Sequence, residues 1–134
     1  MRGCGTVFSL TPPASPGDAW AEAVLYTFSI NSIGNYYTVA TGPSGVLYGT
    51  SALGGSGTNS ACEVDNCGML FSLTQPAGGP AARGPRQCST IFTGPPRDGD
   101  NPGASLVLGN GGVLYGTTYS GGASNAGTVF ALRP

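Results

Sequence analysis

The stretch Gly112–Leu132, GVLYGTTYSGGASNAGTVFAL, decides the fold. It predicts a strand at Val113–Thr118, a glycine-rich crossing and a second strand at Thr128–Leu132, because both runs are rich in β-branched and aromatic residues. The same order occurs earlier, from Gly45, as GVLYGTSALGG, an insert and CGMLFSL. Its second half occurs once more from Cys4, as CGTVFSLTP. The sequence is therefore a tandem repeat of a β-rich unit.

The period of the repeat follows from its aromatic residues. Phe8, Phe71 and Phe130 occupy one repeat position and are 63 and 59 residues apart, while Phe28 and Phe92 are 64 apart. A period of about 60 is longer than most solenoid repeats and suits a four-stranded propeller blade with long loops. We divide the single repeat domain over residues 1–134 into units 4–66, 67–126 and the start of a third, 127–134.

Each unit is expected to supply four strands, named a to d. In the first unit they lie at Thr6–Leu10, Ala23–Phe28, Tyr37–Thr41 and Val46–Thr50. In the second they lie at Met69–Leu73, Ser89–Phe92, Ala104–Leu108 and Val113–Thr118, and the third unit supplies Thr128–Leu132. The best helix candidate is Ala19–Leu25 with an Asp18 cap, but Leu25–Phe28 favours a strand. Asn110-Gly111 predicts a hairpin between strands c and d.

The predicted fold class is all-β. We expect two four-stranded antiparallel propeller-like blades plus one extra strand, which is a partial β-propeller. In the a strand Thr6–Leu10, Phe8 and Val7 point to opposite faces, so both faces are apolar, as in blades stacked face to face. Glycine and proline supply 24 and 11 of the 134 residues, and their fixed positions indicate turns rather than disorder.

Charge excludes several classes of partner. Five arginines and no lysine stand against six acidic residues, for a net charge of −1. Phosphate backbones and anionic membranes need clustered cations, so we expect no nucleic-acid partner. No apolar run is long enough for a membrane span, and the N-terminal segment has no hydrophobic stretch typical of a secretory signal.

The motifs resemble those of the bacterial GloVer (Gloeo/Verruco) tandem repeats over nearly the whole chain. The matching segments are Leu47–Thr50, Leu114–Thr118, Gly127–Phe130, Leu25–Phe28 and Asp98–Ala104, which correspond to LYGTT, GTVF, LY-x-F and DG-x-x-P-x-A in this family. The first unit departs from the pattern at Gly34–Tyr37, where the DG-x-x-P signature is missing.

This resemblance implies an exported, surface-associated bacterial protein with many repeats and no known catalytic residues. We therefore expect an extracellular or cell-surface location in a longer parent protein, of which this chain is a piece. The expected partners are adjacent repeats of that parent chain or other copies, through open blade edges.

Four cysteines allow three complete pairings. Cys62 and Cys67 bracket a six-residue loop, and a disulfide between them is the preferred pairing, with Cys4 and Cys88 either paired or free. A zinc site is the sharper alternative, but the sequence has no histidine to complete a ligand set with the loop pair.

Few residues could carry chemistry. Without histidine or lysine, Ser-His-Asp, Cys-His and Schiff-base arrangements are impossible within the chain. Asp98 and Asp100 form a weak calcium candidate, and their simpler interpretation is a polar turn. A glycosidase pair of carboxylates has no second acidic cluster to support it. We expect no cofactor and no enzymatic activity.

Aromatic residues offer the remaining binding hypothesis. Trp20, Tyr36 and Tyr119 could stack on sugar rings if they are exposed, although most aromatics of a blade lie in the core. The preferred function is thus a non-enzymatic structural or interaction module. A carbohydrate-binding propeller is the alternative, and a glycoside-active enzyme is a distant third.

Overall fold

The computed structural model describes residues 5–28, 37–54, 67–74 and 86–134. Within them the regular secondary structure is almost entirely β, with eleven strands: β1 (Thr6–Thr11), β2 (Ala21–Thr27), β3 (Tyr37–Thr41), β4 (Leu47–Ser51), β5 (Met69–Leu73), β6 (Arg86–Ile91), β7 (Gly99–Asp100), β8 (Val107–Leu108), β9 (Leu114–Thr118), β10 (Ser120–Gly121) and β11 (Thr128–Leu132). Two single-turn 3-10 helices, Pro43–Gly45 and Asn110–Gly112, precede β4 and β9. The all-β prediction is confirmed.

The strands form small antiparallel sheets. The first sheet pairs β1 with β2, the middle sheet has the order β3-β4-β5-β6, and the last sheet has the order β8-β9-β11. A fourth, two-residue ladder joins β7 to β10. No closed barrel or ring is formed by the described residues.

The sheets do not coincide with the units inferred from the sequence. The middle sheet takes strands c and d from the first unit and strands a and b from the second. Two four-stranded sheets were expected, but the described residues form one, flanked by a two-stranded and a three-stranded sheet. The reason lies in the b-to-c connection of the second unit, which crosses between sheets and does not turn back as a hairpin.

Most predicted strands form close to their expected bounds. Strands at Tyr37–Thr41, Met69–Leu73 and Thr128–Leu132 are confirmed as predicted. The helix alternative at Ala19–Leu25 is wrong, because β2 begins at Ala21 and pairs with β1 along its length. The strand predicted at Ala104–Leu108 is reduced to two residues, since the preceding segment bonds to neighbouring strands of other ladders.

The hairpin predicted at Asn110-Gly111 forms, but its turn is longer than a two-residue loop. Gly109 N donates to Val113 O at 2.8 Å, and the residues with positive φ are Gly111 and Gly112. Glycine adopts this backbone conformation without steric strain, and in the equivalent turn before β4 the two positions are occupied by Ser44 and Gly45. The turn before β4 closes in the same way, through Gly42 N and Val46 O at 2.7 Å.

The core lies on both faces of the middle sheet. Alternate side chains of β5 point in opposite directions, as the strand period of two requires. Met69, Phe71 and Leu73 pack against Val7 and Phe28 of the first sheet, whereas Leu70 packs with Leu106 and Leu114 on the side of the last sheet. The three sheets are therefore layered, with the middle one between the other two.

Candidate functional site

At both interfaces between sheets, two phenylalanines from the same two repeat positions are in contact. Phe28, just after β2, meets Phe71 of β5 edge to face, with ring centroids 5.4 Å apart. Phe92, just after β6, meets Phe130 of β11 in the same way at 5.1 Å. Such edge-to-face pairs are favourable beyond their buried area. The repeat position that sequence spacing identified is therefore the contact between neighbouring sheets.

Backbone geometry recurs together with these aromatic pairs. Phe28 N donates to Gly5 O at 3.0 Å, and Phe92 N donates to Gly68 O at 3.1 Å. The ladder between β1 and β2 shifts register between Val7 and Phe8, and the β5–β6 ladder shifts at the equivalent point, between Leu70 and Phe71. In both ladders the extra residue lies on the second strand, at Leu25 of β2 and Ser89 of β6, so a bulge at a fixed repeat position precedes the aromatic residue that contacts the following sheet.

The glycine of the LYGT motif makes room for the aromatic ring. Gly49 faces Phe71 across the β4–β5 ladder, and Gly116 faces Phe130 across β9–β11. A Cβ at either glycine would overlap Cζ of the opposite ring. The recurrence of Gly in this motif is thus explained by packing within the sheet.

The segment 98–104 ties the middle and last sheets together. Asn101 N donates to Cys67 O at 3.0 Å, and Tyr119 N donates to Asn101 O at 3.0 Å. Thr38 Oγ1 of β3 donates to Ala104 O at 3.2 Å. Pro102, within this segment, is among the fully buried side chains. The DG-x-x-P motif therefore serves as a strut between two sheets.

An open groove lies beside this strut. It has a volume of about 580 Å³ and is lined by Asn101, Gly103, Ala104, Thr117, Thr118 and Tyr119. The side chain of Tyr119 is 83% exposed. An exposed aromatic ring next to hydroxyl and amide groups is an arrangement that can receive a neutral polar ligand.

Two of the predicted stacking residues, Trp20 and Tyr119, lie on different sheets. Trp20, which is 61% exposed, precedes β2 in the first sheet, whereas Tyr119 follows β9 in the last sheet. The middle sheet separates these two layers. Tyr36 lies outside the described residues, so its proposed role stays a prediction.

The two acidic residues of the calcium candidate have hydrogen-bond partners in the protein. Asp98 Oδ2 accepts from Thr93 N at 2.8 Å and Thr93 Oγ1 at 3.0 Å, and Oδ1 accepts from Gly99 N at 2.7 Å. Asp100 Oδ2 accepts from Ser120 Oγ at 2.9 Å. These contacts are those of a polar turn.

Cys67 is buried at the start of β5 and is disulfide-bonded. The side chains of the other three cysteines, Cys4, Cys62 and Cys88, lie outside the described part of the chain, so no disulfide joins two described side chains. The Cys62–Cys67 pairing therefore stays a prediction.

The two outermost faces of the layered sheets are apolar and exposed. The outward face of the first sheet carries Phe8, Leu10 and Val24, which are 52, 53 and 49% exposed. The outward face of the last sheet carries side chains from three strands, Val107, Tyr115 and Val129. We call these the first end face and the last end face.

Sequence reasoning predicted apolar sheet faces but assigned the association of copies to free strand edges, and it did not identify the residues of these two outermost faces. The signal was present in the repeat alignment. Phe8 and Val129 occupy positions whose equivalents, Phe71 and Leu70, are completely buried in the middle sheet. An apolar residue kept at a core position in the outermost sheets predicts a face that another layer can cover.

Among residues 5–28, 37–54, 67–74 and 86–134, no helix is long and apolar enough to cross a membrane. The same residues contain no group of three or more metal-ligating side chains from His, Cys, Asp or Glu. Neither the family models, nor the curated proteins, nor the solved structures gave a significant match to this chain.

Proposed function

We propose that this chain is a non-enzymatic structural and interaction module whose sheets stack face to face in a repeating series. The observation that carries the proposal is the recurrence of one interface, with Phe28–Phe71 joining the first pair of layers and Phe92–Phe130 the second. Layers that use the same contact repeatedly can be extended by further layers of the same kind. The partners are therefore further repeats, in a longer parent chain or in other copies.

The finer architecture proposed is a partial β-propeller whose blades have the strand order c-d-a-b. The four strands of the middle sheet would be one such blade. The face-to-face layering of the three sheets is what supports this arrangement. Closure into a ring would require additional blades.

The resemblance to GloVer repeats is part of the same proposal. Its motifs have structural tasks here: the glycine of LYGT accommodates the ring of Phe71 or Phe130 in two repeats, and the single DG-x-x-P segment bonds to the backbone of Cys67 and Tyr119. An exported, cell-surface location is supported by the disulfide-bonded Cys67, since disulfides persist mainly in oxidising compartments.

A tandem variant tests the stacking function. Residues 67–126 are duplicated in line, so that the chain gains one complete c-d-a-b sheet between the middle and last sheets. We expect a single cooperative unfolding transition at higher temperature and denaturant concentration than in the parent chain, because the added layer buries both of its faces.

The matched control carries Phe71→Ser in the duplicated unit alone. It retains the added length but loses the aromatic contact that joins the new layer to the one before it, so most of the stability gain should disappear. Independent melting of the inserted unit in the unsubstituted tandem variant would overturn the proposed function.

Carbohydrate binding is the second candidate function, and the groove beside Tyr119 favours it. A glycan array probed with the native chain and with Tyr119→Ala tests this candidate, with Trp20→Ala as the control on a different sheet. Saturable binding lost only in Tyr119→Ala would support a sugar site in the groove. Glycan binding that neither substitution abolishes would rule out a sugar site in the groove.

A further inference from the structure

The first end face repeats, residue for residue, faces that are covered inside the molecule. Phe8 and Leu10 occupy the repeat positions of Phe71 and Leu73 in β5. Phe71 is fully buried and Leu73 is 6% exposed, because the first sheet covers them. The first end face is therefore a surface of the kind that receives the preceding layer.

The last end face carries the repeat positions that, inside the molecule, face the following sheet. Val129 occupies the repeat position of Leu70, which is fully buried beneath the last sheet, yet Val129 is 81% exposed. Tyr115 is 44% exposed, whereas its equivalent Tyr48 packs against the core between the middle and last sheets. The last end face is therefore a surface of the kind that receives the following layer.

At the repeat positions of strands a and d, the two end faces consequently match the two sides of the internal interface. Inside the molecule, Leu70 and Tyr48 of the middle sheet pack on the side that carries Phe130 and Leu132 of the last sheet. On the last end face, Val129 and Tyr115 occupy the repeat positions of Leu70 and Tyr48. On the first end face, Phe8 and Leu10 occupy the repeat positions of Phe130 and Leu132.

The strands that form the two end faces carry almost no charge. The strands of the last sheet, with sequences VL, LYGTT and TVFAL, contain no charged residue, and Glu22 is the single charged residue in β1 and β2. A contiguous exposed apolar face ordinarily marks an interaction surface. On the first end face the single charge lies on Glu22, the cross-strand partner of Leu10.

We propose that the last end face is a binding site for the first end face of a second copy of this chain. The contact is head to tail, so each copy uses two different surfaces and association can continue into rings or open stacks. The inference rests on the proposed stacking function and specifies its partner. It places recognition on sheet faces, through Val129, Tyr115, Phe8 and Leu10, and not on strand edges.

Two charge-introducing variants test the direction of the contact. Phe8→Asp disables the first end face, and Val129→Asp disables the last end face. Both positions are exposed within one chain, so each variant should fold, which circular dichroism and the melting temperature would verify. Val39→Asp is the matched control, because Val39 is an apolar residue 47% exposed on the middle sheet and lies on neither end face.

Sedimentation velocity and light scattering then measure the mass over a roughly hundredfold range of protein concentration. We expect the native chain and Val39→Asp to form species larger than dimers as concentration rises. Each end-face variant alone should remain at the monomer mass of 13.3 kDa. An equimolar mixture of Phe8→Asp and Val129→Asp retains one intact contact, so it should give a species of twice that mass and nothing larger.

Three results would overturn the inference. The native chain could remain monomeric throughout the range, one end-face variant could dimerise alone, or the mixture could stay monomeric. Self-dimerisation of a single variant would indicate a symmetric contact in place of head-to-tail association. If these results occur while the tandem variant still melts as one stabilised unit, the stacking function stands and only the second copy as partner is wrong.

Discussion

Thr118 Oγ1 and Thr128 Oγ1 lie 2.8 Å apart across the ladder between β9 and β11, and Thr118 is 7% exposed. The same Thr118 oxygen also bonds to Ser120 O at 2.8 Å and accepts from Thr128 N at 3.0 Å. A single buried hydroxyl therefore fixes the end of β9, the beginning of β11 and the loop between them.

Thr118→Val should lower the free energy of unfolding by about 1–3 kcal/mol, because it keeps the shape of the side chain but leaves buried polar groups without a partner. Urea unfolding followed by circular dichroism measures the change. Thr117→Val is the neighbouring control, with an exposed side chain on the same strand, and should change stability by about 0.5 kcal/mol or less. Equal effects of the two variants would contradict the role assigned to Thr118.

Gly116→Ala should destabilise the chain by about 1–3 kcal/mol through overpacking, since the new Cβ would overlap the ring of Phe130. The backbone φ of Gly116 is not in the left-handed region, so any cost reports the steric contact alone. Gly103→Ala is the control, because no heavy atom lies within 4 Å of a Cβ there.

The same contact can be checked by compensation. Combining Gly116→Ala with Phe130→Leu removes the ring edge that the new methyl group meets, so the double variant should lose less than the sum of the two single variants. Strict additivity of the two unfolding free energies would show that the ring and the glycine do not interact.

Phe71→Ala should cost about 3–5 kcal/mol, as expected for a fully buried aromatic side chain. Phe8→Ala changes the same repeat position in the first sheet, where the side chain is 52% exposed, and should cost about 0.5 kcal/mol or less in dilute protein. Denaturant midpoints measured at one low concentration compare the two. Similar losses would mean that Phe8 is covered within a single chain.

Asp98→Asn should lower stability by about 1–3 kcal/mol, because the carboxylate accepts hydrogen bonds from Thr93 and Gly99 through both oxygens. Asp18→Asn, at an exposed position, is the control. We further expect that calcium leaves the melting temperature of the native chain unchanged. A calcium-dependent rise that vanishes in Asp98→Asn would establish the turn as a calcium site.

Local pattern was sufficient to predict most strands. The run at Thr128–Leu132 was found from its β-branched and aromatic residues and the run at Met69–Leu73 from its alignment with the other repeats, and the structure has the same bounds. Their burial could not be predicted in the same way. Val129 and Leu70 share a repeat position, and the number of layers that cover each one decides which of them is buried.

The pairing of strands into sheets could not be predicted from the repeat. A period of about 60 residues fits any cyclic order of strands a to d, so the beginning of a motif does not mark the edge of a sheet. The two-residue strands β7 and β10 also escaped prediction, because Gly99–Asp100 and Ser120–Gly121 have no alternating apolar pattern. They form because the strut holds those backbones side by side.

The candidate groove was predicted only through Tyr119. Its other walls come from segments far apart in the sequence, around Asn101 and Thr117, which the strut brings together. Long-range contacts of this kind leave no periodic trace in the sequence.

Each sheet begins and ends at a different point of the repeat from the sequence motif. This offset determines where repeats can be divided or joined without breaking a sheet. A boundary drawn at the motif, between β4 and β5, divides a sheet and leaves two lines of main-chain donors and acceptors without their ladder. A boundary drawn in the b-to-c connection ahead of β7 leaves every described sheet intact. Recombination that adds or deletes repeats would therefore preserve the architecture with least damage when its junctions fall near Gly94–Arg97 and its equivalents, although the most conspicuous motif lies elsewhere.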